Sequence, residues 1–194
     1  MNLNKDGGKW VDIQLRFCEQ VNEPNDLEAV WRILCESDKD FFPPLSARGS
    51  TFQRTLQQEE KLETLPHAYY EEIIKQPIIL AVSKESGKVA GFMTFKHNYH
   101  CPELNNFSPS NYITTICVAK NARNQGITRK FYQFIQSSEI PSQYRMPNLA
   151  TRTWSTNASH LHILRTMGFE VSARLVNHRG NGMDTIYFGK KVQQ

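Results

Sequence analysis

The sequence contains no Cys-x-x-Cys pair, no Gly-x-x-x-x-Gly-Lys-Ser/Thr loop and no Gly-x-Gly-x-x-Gly fingerprint. The last two absences set aside the P-loop and dinucleotide-fold readings of nucleotide binding. Its four cysteines, Cys18, Cys35, Cys101 and Cys117, are scattered. That argues against zinc and against a disulfide framework, so no metal is expected and the thiols suit a reducing cytoplasm. No apolar run approaches the ~20 residues of a membrane span, so no membrane association is expected. The opening "MNLNKDGGKW" has no apolar h-region and reads as no secretory signal. Charge of one sign is also scarce. Lys and Arg number 23 against 19 Asp and Glu, a net +4. This suits an anionic ligand but is not the clustered basic stripe of a nucleic-acid binder.

What is present is ordinary for a globular chain: 194 residues, 39% hydrophobic and 22% charged. We expect a single domain over 1–194. "VDIQLRF" (11–17) alternates as a strand does. "NDLEAVWRILCES" places Leu27, Val30, Trp31 and Leu34 on one helical face, with Asn25 and Glu28 as a capping-box start. Pro43 and Pro44 break the chain at "DFFPPLSARGS", and two helical patches follow, around 52–65 and 68–75. The period then falls to two. "PIILAVS" (77–83) and "VAGFMTFKHNYH" (89–100) read as a hairpin, and "NYITTICVAK" (111–120) as a third central strand. A helix starting near Gln125 and Gly126, with Ile127, Phe131, Phe134 and Ile135 as its apolar face, precedes the strand "NLATRTW" (148–154). "TNASHLHILRTMGFE" is a second helix stopped by Gly168, and a final hairpin turns at "RGNG". The order predicts a mixed α/β sheet.

Within this order one stretch carries chemistry. "NARNQGITRKFYQF" (121–134) sets Arg123, Gly126 and Thr128 at the mouth of a helix, directly after an apolar strand. First-turn amides lack intrahelical partners and sit at the positive end of the helix dipole, where a phosphate or pyrophosphate is the natural occupant. Gly126 lets an oxygen approach the main chain, and Arg123 and Arg129 add charge. A glycine that only tolerates a tight turn fits the same spacing.

The longer run, with Ile116-Cys117-Val118 followed by Arg123-Asn124-Gln125-Gly126-Ile127-Thr128, resembles the acetyl-CoA motif of the GNAT superfamily of N-acetyltransferases. Asn157, with Gly168 and Phe169 eleven and twelve residues later, resembles that family's second motif, and the element order matches the GNAT fold over residues 11–190. The resemblance implies a mostly antiparallel sheet with a splayed parallel pair, strands 111–118 and 148–154, that binds acyl-CoA. It implies that main-chain groups of Ile116 and Val118 pair with the pantetheine arm. The amides from Asn124 through Gln125, Gly126, Ile127 and Thr128 to Arg129 would take the pyrophosphate, and Asn157 would hold the pantetheine region. The chain departs from the pattern twice. Thr128 stands where Gly or Ala is usual, and Leu164 where many members carry a tyrosine that protonates the leaving thiolate.

On this resemblance the chain is an N-acetyltransferase moving acetyl from acetyl-CoA directly to a primary amine, with a small-molecule or peptide acceptor. A freed backbone N–H in strand 111–118 would stabilise the oxyanion. That strand holds no acidic base, so His97 and His100 are the candidate bases on pKa grounds, against an ordinary surface role for each. His160 is placed to touch the cofactor or replace the missing acid, or else to cap or pack. Phe41, Phe42 and Tyr99 are candidates for an acceptor wall. Cys117 should point into a buried face and not act as a nucleophile. An acyl-CoA-binding module without turnover, an RNA- or ribosome-associated interaction protein and a homodimer stay open.

Overall fold

The computed structural model describes residues 12–51 and 64–192. The alternating segments form seven strands: β1 (Ile13–Cys18), β2 (Ile78–Ser83), β3 (Val89–Tyr99), β4 (Ser110–Val118), β5 (Asn148–Trp154), β6 (Glu170–Leu175) and β7 (Thr185–Lys191). They make one sheet in the order β1-β2-β3-β4-β5-β7-β6, antiparallel throughout except for β4 beside β5. The helices are α1 (Pro24–Ser37), α2 (His67–Ile73), α3 (Ile127–Phe134) and α4 (Ala158–Thr166). This is the mixed sheet that the element order predicts, with the parallel pair that the resemblance implies. The helix expected around 52–65 lies almost wholly outside the described residues. No described helix is long and apolar enough to cross a membrane.

Local chemistry explains most boundaries. β2 is buried along its whole length, which is why "IILAVS" reads as continuous apolar residues. Gly168, at φ 76°, ends α4 as expected: Phe169 N–H reaches Leu164 O at 3.0 Å and Gly168 N–H reaches Arg165 O at 3.1 Å. The start of α1 differs from expectation. Glu23 is its N-cap and no side chain caps it, so Asn25 and Glu28 form no capping box. Pro24 takes the first helical position, where its missing N–H is not needed. Trp31 is only half-buried; it stacks on His67 at 4.7 Å and meets Tyr70 edge-on at 5.0 Å, joining α1 to α2.

The sheet has two differently furnished faces. Along β5 successive side chains alternate sides. Thr151 and Thr153 face α3 and α4, where the Tyr132 hydroxyl meets Thr151. Arg152 and Trp154 face the other way, beside Tyr187 and Phe41. On that second face the Tyr69 hydroxyl of α2 bonds Thr115 at 2.9 Å. Phe131 and Tyr132 are fully buried and anchor α3 on the sheet.

Candidate active site

β4 and β5 are in register at only three positions: Asn111 with Leu149, Tyr112 with Ala150 and Ile113 with Thr151. Beyond them the strands part, and the gap opens into a cleft of about 420 Å³ walled by 113–118 on one side and 151–154 on the other. A bulge in β4 lies at the parting. Thr94 pairs with Thr115 and the next residue, Phe95, with Ile113, so Thr114 is an extra residue. Its hydroxyl is pinned to Thr94 Oγ1 at 2.8 Å and Gln76 Oε1 at 2.5 Å.

The register decides which main-chain groups of β4 face the gap. Ala119 N–H donates to Ala90 O at 2.9 Å, so 90–119 is a hydrogen-bonded pair. In the same antiparallel register 92–117 and 94–115 are bonded too, and the residues between them turn their N–H and C=O the other way. Those residues are Ile116 and Val118, the two the sequence singles out. Arg123 Nε donates to the Val118 carbonyl at 3.1 Å. The N–H and C=O of Ile116 and the N–H of Val118 then remain for a ligand lying along the gap.

The mouth of α3 closes one end of the cleft. Asn124 and Gly126 both adopt positive φ, 62° and 74°. Gly126 is the N-cap, and a Cβ built there would meet nothing within 4 Å. Glycine suits this left-handed backbone, and the space beside it is open. The helix begins at Ile127, slightly later than predicted, with Lys130 N–H to Gly126 O at 3.1 Å as its first bond. The amides of Ile127, Thr128 and Arg129 are left for an anion. Asn124, Gly126, Ile127, Thr128 and Arg129 all line the cleft, whereas Gln125 is exposed and does not. Arg123 lines it with its charge already engaged: Nη2 lies 2.7 Å from Asp40 Oδ2. It braces the turn more than it supplies a free cation.

Asn157 caps α4, its Oδ1 accepting from the His160 N–H at 3.3 Å. The amide nitrogen is what remains to meet a ligand. His160 also lines the cleft, and its Nε2 lies 2.7 Å from the Tyr132 hydroxyl. Burial pushes its pKa down to about 4, so the ring is neutral at pH 7. Leu164, one turn on, is fully buried in the core. The Cys117 thiol is buried, and desolvation raises its pKa to about 12, which makes it a poor nucleophile.

Other sequence candidates are not gathered here. His97 bonds Asn111 Oδ1 at 3.0 Å and packs edge-on against Tyr144. Asn111 precedes Ile116 by five positions, about 17 Å of extended strand. His100 is exposed, near Ser108, and Tyr99 lies tilted against Tyr112, ring centroids 4.8 Å apart, in a separate cluster. None of the three lines the cleft. Phe41 does, packed on Trp154 with ring centroids 6.0 Å apart, while Phe42 is exposed outside it. Asp40, Arg152 and Trp154, which the sequence reading does not single out, also line the cleft. The single charged residue of the strand "NLATRTW" was the available signal for Arg152.

The family model described as "Acetyltransferase (GNAT) family" matches residues 32–169. No curated protein sequence matches the chain. Among solved structures, a protein of Desulfovibrio desulfuricans assigned to the GNAT family is 15% identical with a TM-score of 0.65, covering 94% of this chain and 100% of that one. A ribosomal-protein-alanine N-acetyltransferase of Brucella melitensis is 19% identical with a TM-score of 0.60, covering 92% and 99%. A Salmonella typhimurium protein, solved with acetyl-CoA as its cofactor, is 15% identical with a TM-score of 0.59, covering 94% and 95%. At these identities the likeness is one of fold.

Proposed function

This chain belongs to the acetyltransferase (GNAT) family, and we propose that it is an N-acetyltransferase carrying acetyl from acetyl-CoA directly to a primary amine. The observation that carries this is the parting of β4 from β5 with the main chain of Ile116 and Val118 turned into the gap and the N-terminus of α3 at its end. An extended, amide-bearing, doubly phosphorylated ligand matches both features. Its amides complete the open edge of β4, and its pyrophosphate meets the first-turn amides of α3.

The residues then divide the work. The N–H of Ile116, fixed by the bulge at Thr114, donates to the thioester oxygen as negative charge develops there. The amine nitrogen forms its bond to the acetyl carbon as the carbon–sulfur bond breaks. One amine proton is released, and the departing thiolate takes up one. That proton comes from water or is the one the amine releases; neutral His160, on the cleft wall, can hydrogen-bond the departing sulfur. The buried Cys117 gives no route through an acyl-enzyme.

Calorimetry with acetyl-CoA, followed by thiol release in the presence of amines, tests this reading. Binding with turnover is expected. Binding without turnover on any amine would favour a module that holds acyl-CoA.

A further inference from the structure

Thr114 and Thr115, the two residues ahead of Ile116, are each gripped by side chains from other elements. The Thr114 hydroxyl meets Gln76 Oε1 at 2.5 Å and Thr94 Oγ1 at 2.8 Å, and Thr115 Oγ1 meets the Tyr69 hydroxyl at 2.9 Å. We propose that Gln76 is a positioning residue for acetyl transfer: it pins the β4 bulge at Thr114, so that the Ile116 N–H keeps its aim at the thioester oxygen. This role rests on the acetyl-transfer reading and adds the group that sets its oxyanion donor.

The main chain is thinly supported at this point. The pairing of β4 with β5 ends at Ile113, and the β3 register passes from Thr115 to Ile113 without Thr114. The peptide that carries the Ile116 N–H is tied to β3 through the 94–115 pair, the last before the bulge. Were the extra residue to move along β4 to Ile116, the N–H groups facing the gap would change with it. A displacement of about 1 Å at a reacting centre already costs on the order of 100-fold in rate. The place of the bulge therefore matters to the chemistry, and a contact on Thr114 itself is what fixes it.

Gln76 lies between α2 and β2 and is buried. Its Nε2 donates to Thr51 Oγ1 at 3.3 Å. Thr51 gives its hydroxyl proton to Glu72 Oε1 at 2.6 Å and its N–H to Oε2 at 2.5 Å, and Lys96 Nζ lies 2.9 Å from Oε1. An ionised carboxylate only accepts, so Thr51 Oγ1 receives from Nε2, and the Gln76 amide is held with Oε1 toward Thr114. The one proton of the Thr114 hydroxyl goes to that oxygen, and Thr94 donates to Thr114. The bonds then all run one way, from Thr94 to Glu72, and bonds so aligned polarise one another.

The chain of bonds is anchored at both ends, by Thr94 and Lys96 on β3 and by Glu72 on α2. Thr51 also accepts at its carbonyl from Arg152 Nη2 at 3.2 Å, which ties the same assembly to β5 across the gap. An apolar side chain in place of Gln76 would fill the space without a desolvation cost, but would leave the bulge free to shift. A satisfied buried polar chain specifies one arrangement instead.

The test reads the donor directly. Acetyl-CoA labelled with carbon-13 at the carbonyl is bound to the full chain, and the thioester carbonyl stretch is followed by isotope-edited infrared difference spectroscopy. A hydrogen bond from the Ile116 N–H lowers that frequency relative to free acetyl-CoA. The lowering should be present in the wild type and largely lost in Gln76→Met and Thr114→Val. Thr114→Ser, which keeps the hydroxyl, should retain it. Calorimetry should give each variant near wild-type stoichiometry and affinity for acetyl-CoA, which shows that the site is folded. With an amine that is turned over, Gln76→Met should lower kcat about 10-fold while KM for acetyl-CoA is unchanged. Combining it with Thr114→Val should cost nothing further, because both remove the same bond. Should Gln76→Met fail to fold, Thr114→Val against Thr114→Ser carries the decision. A full wild-type lowering in Gln76→Met and Thr114→Val, or no lowering in a wild type that binds, would overturn the role of Gln76 and leave acetyl transfer standing. Absence of acetyl-CoA binding by the wild type would overturn the acetyl-transfer reading instead. The infrared shift needs no turnover, so it decides equally for a chain that binds acetyl-CoA without catalysis.

Discussion

The Tyr132 hydroxyl, 2.7 Å from His160 Nε2, joins α3 to α4 under the cleft and holds a histidine that is neutral at pH 7. Burial depresses its pKa from 6.5 to about 4. The unfolded chain therefore binds the extra proton first as pH falls, and stability is lost between about pH 6.5 and 4. At pH 4.5 the loss from this residue should be about 2.5 kcal/mol relative to pH 7. Urea unfolding at both pH values should show a shallower difference for His160→Gln than for the wild type.

The same substitution tests the leaving-group role. If His160 hydrogen-bonds the departing sulfur, His160→Gln should lower kcat by about 10-fold with acetyl-CoA affinity within a few-fold of wild type. An unchanged kcat would remove His160 from the chemistry and leave it as packing.

His97 and His100 sit away from the cleft. His97→Gln and His100→Gln should each keep kcat/KM within twofold and leave its pH profile unchanged. Loss of the acid limb in either variant would show that a histidine base acts from that end of the sheet.

Transfer should pass through a ternary complex, because Cys117 is buried with its pKa near 12. Intersecting double-reciprocal plots are expected. Parallel lines, or an acetylated Cys117 seen by mass spectrometry without acceptor, would contradict this.

Local features were legible in the sequence and distant ones were not. Gly126, Ile116 and Val118 could be found because a left-handed N-cap and a strand period leave marks within a few residues. The Arg123–Asp40 pair spans 83 positions and left none. His97 and His100 fit a base by residue type, and both lie at the C-terminal end of β3. The register sets that end beside Ser110 and Asn111, far from the bulge where the strands part. Thr51, Gln76 and Thr114 come from three separate segments, and only folding the chain brings their polar groups together. The start of α1 was misplaced because Asn25 and Glu28 satisfy a capping box by spacing, whereas Pro24 already suits the first helical position.

Acetyl-CoA binding here requires an anion held at the N-terminus of α3, and the backbone there allows a test by charge alone. Asn and Asp both tolerate the left-handed conformation that Gly126 adopts at φ 74°, and either side chain enters open space. Gly126→Asn and Gly126→Asp therefore differ by one negative charge at nearly constant shape. Acetyl-CoA affinity measured by calorimetry on both should be at least 10-fold weaker for Gly126→Asp, with both variants folded and the gap narrowing as salt rises. Equal affinities for the two variants would place the pyrophosphate elsewhere and contradict the site.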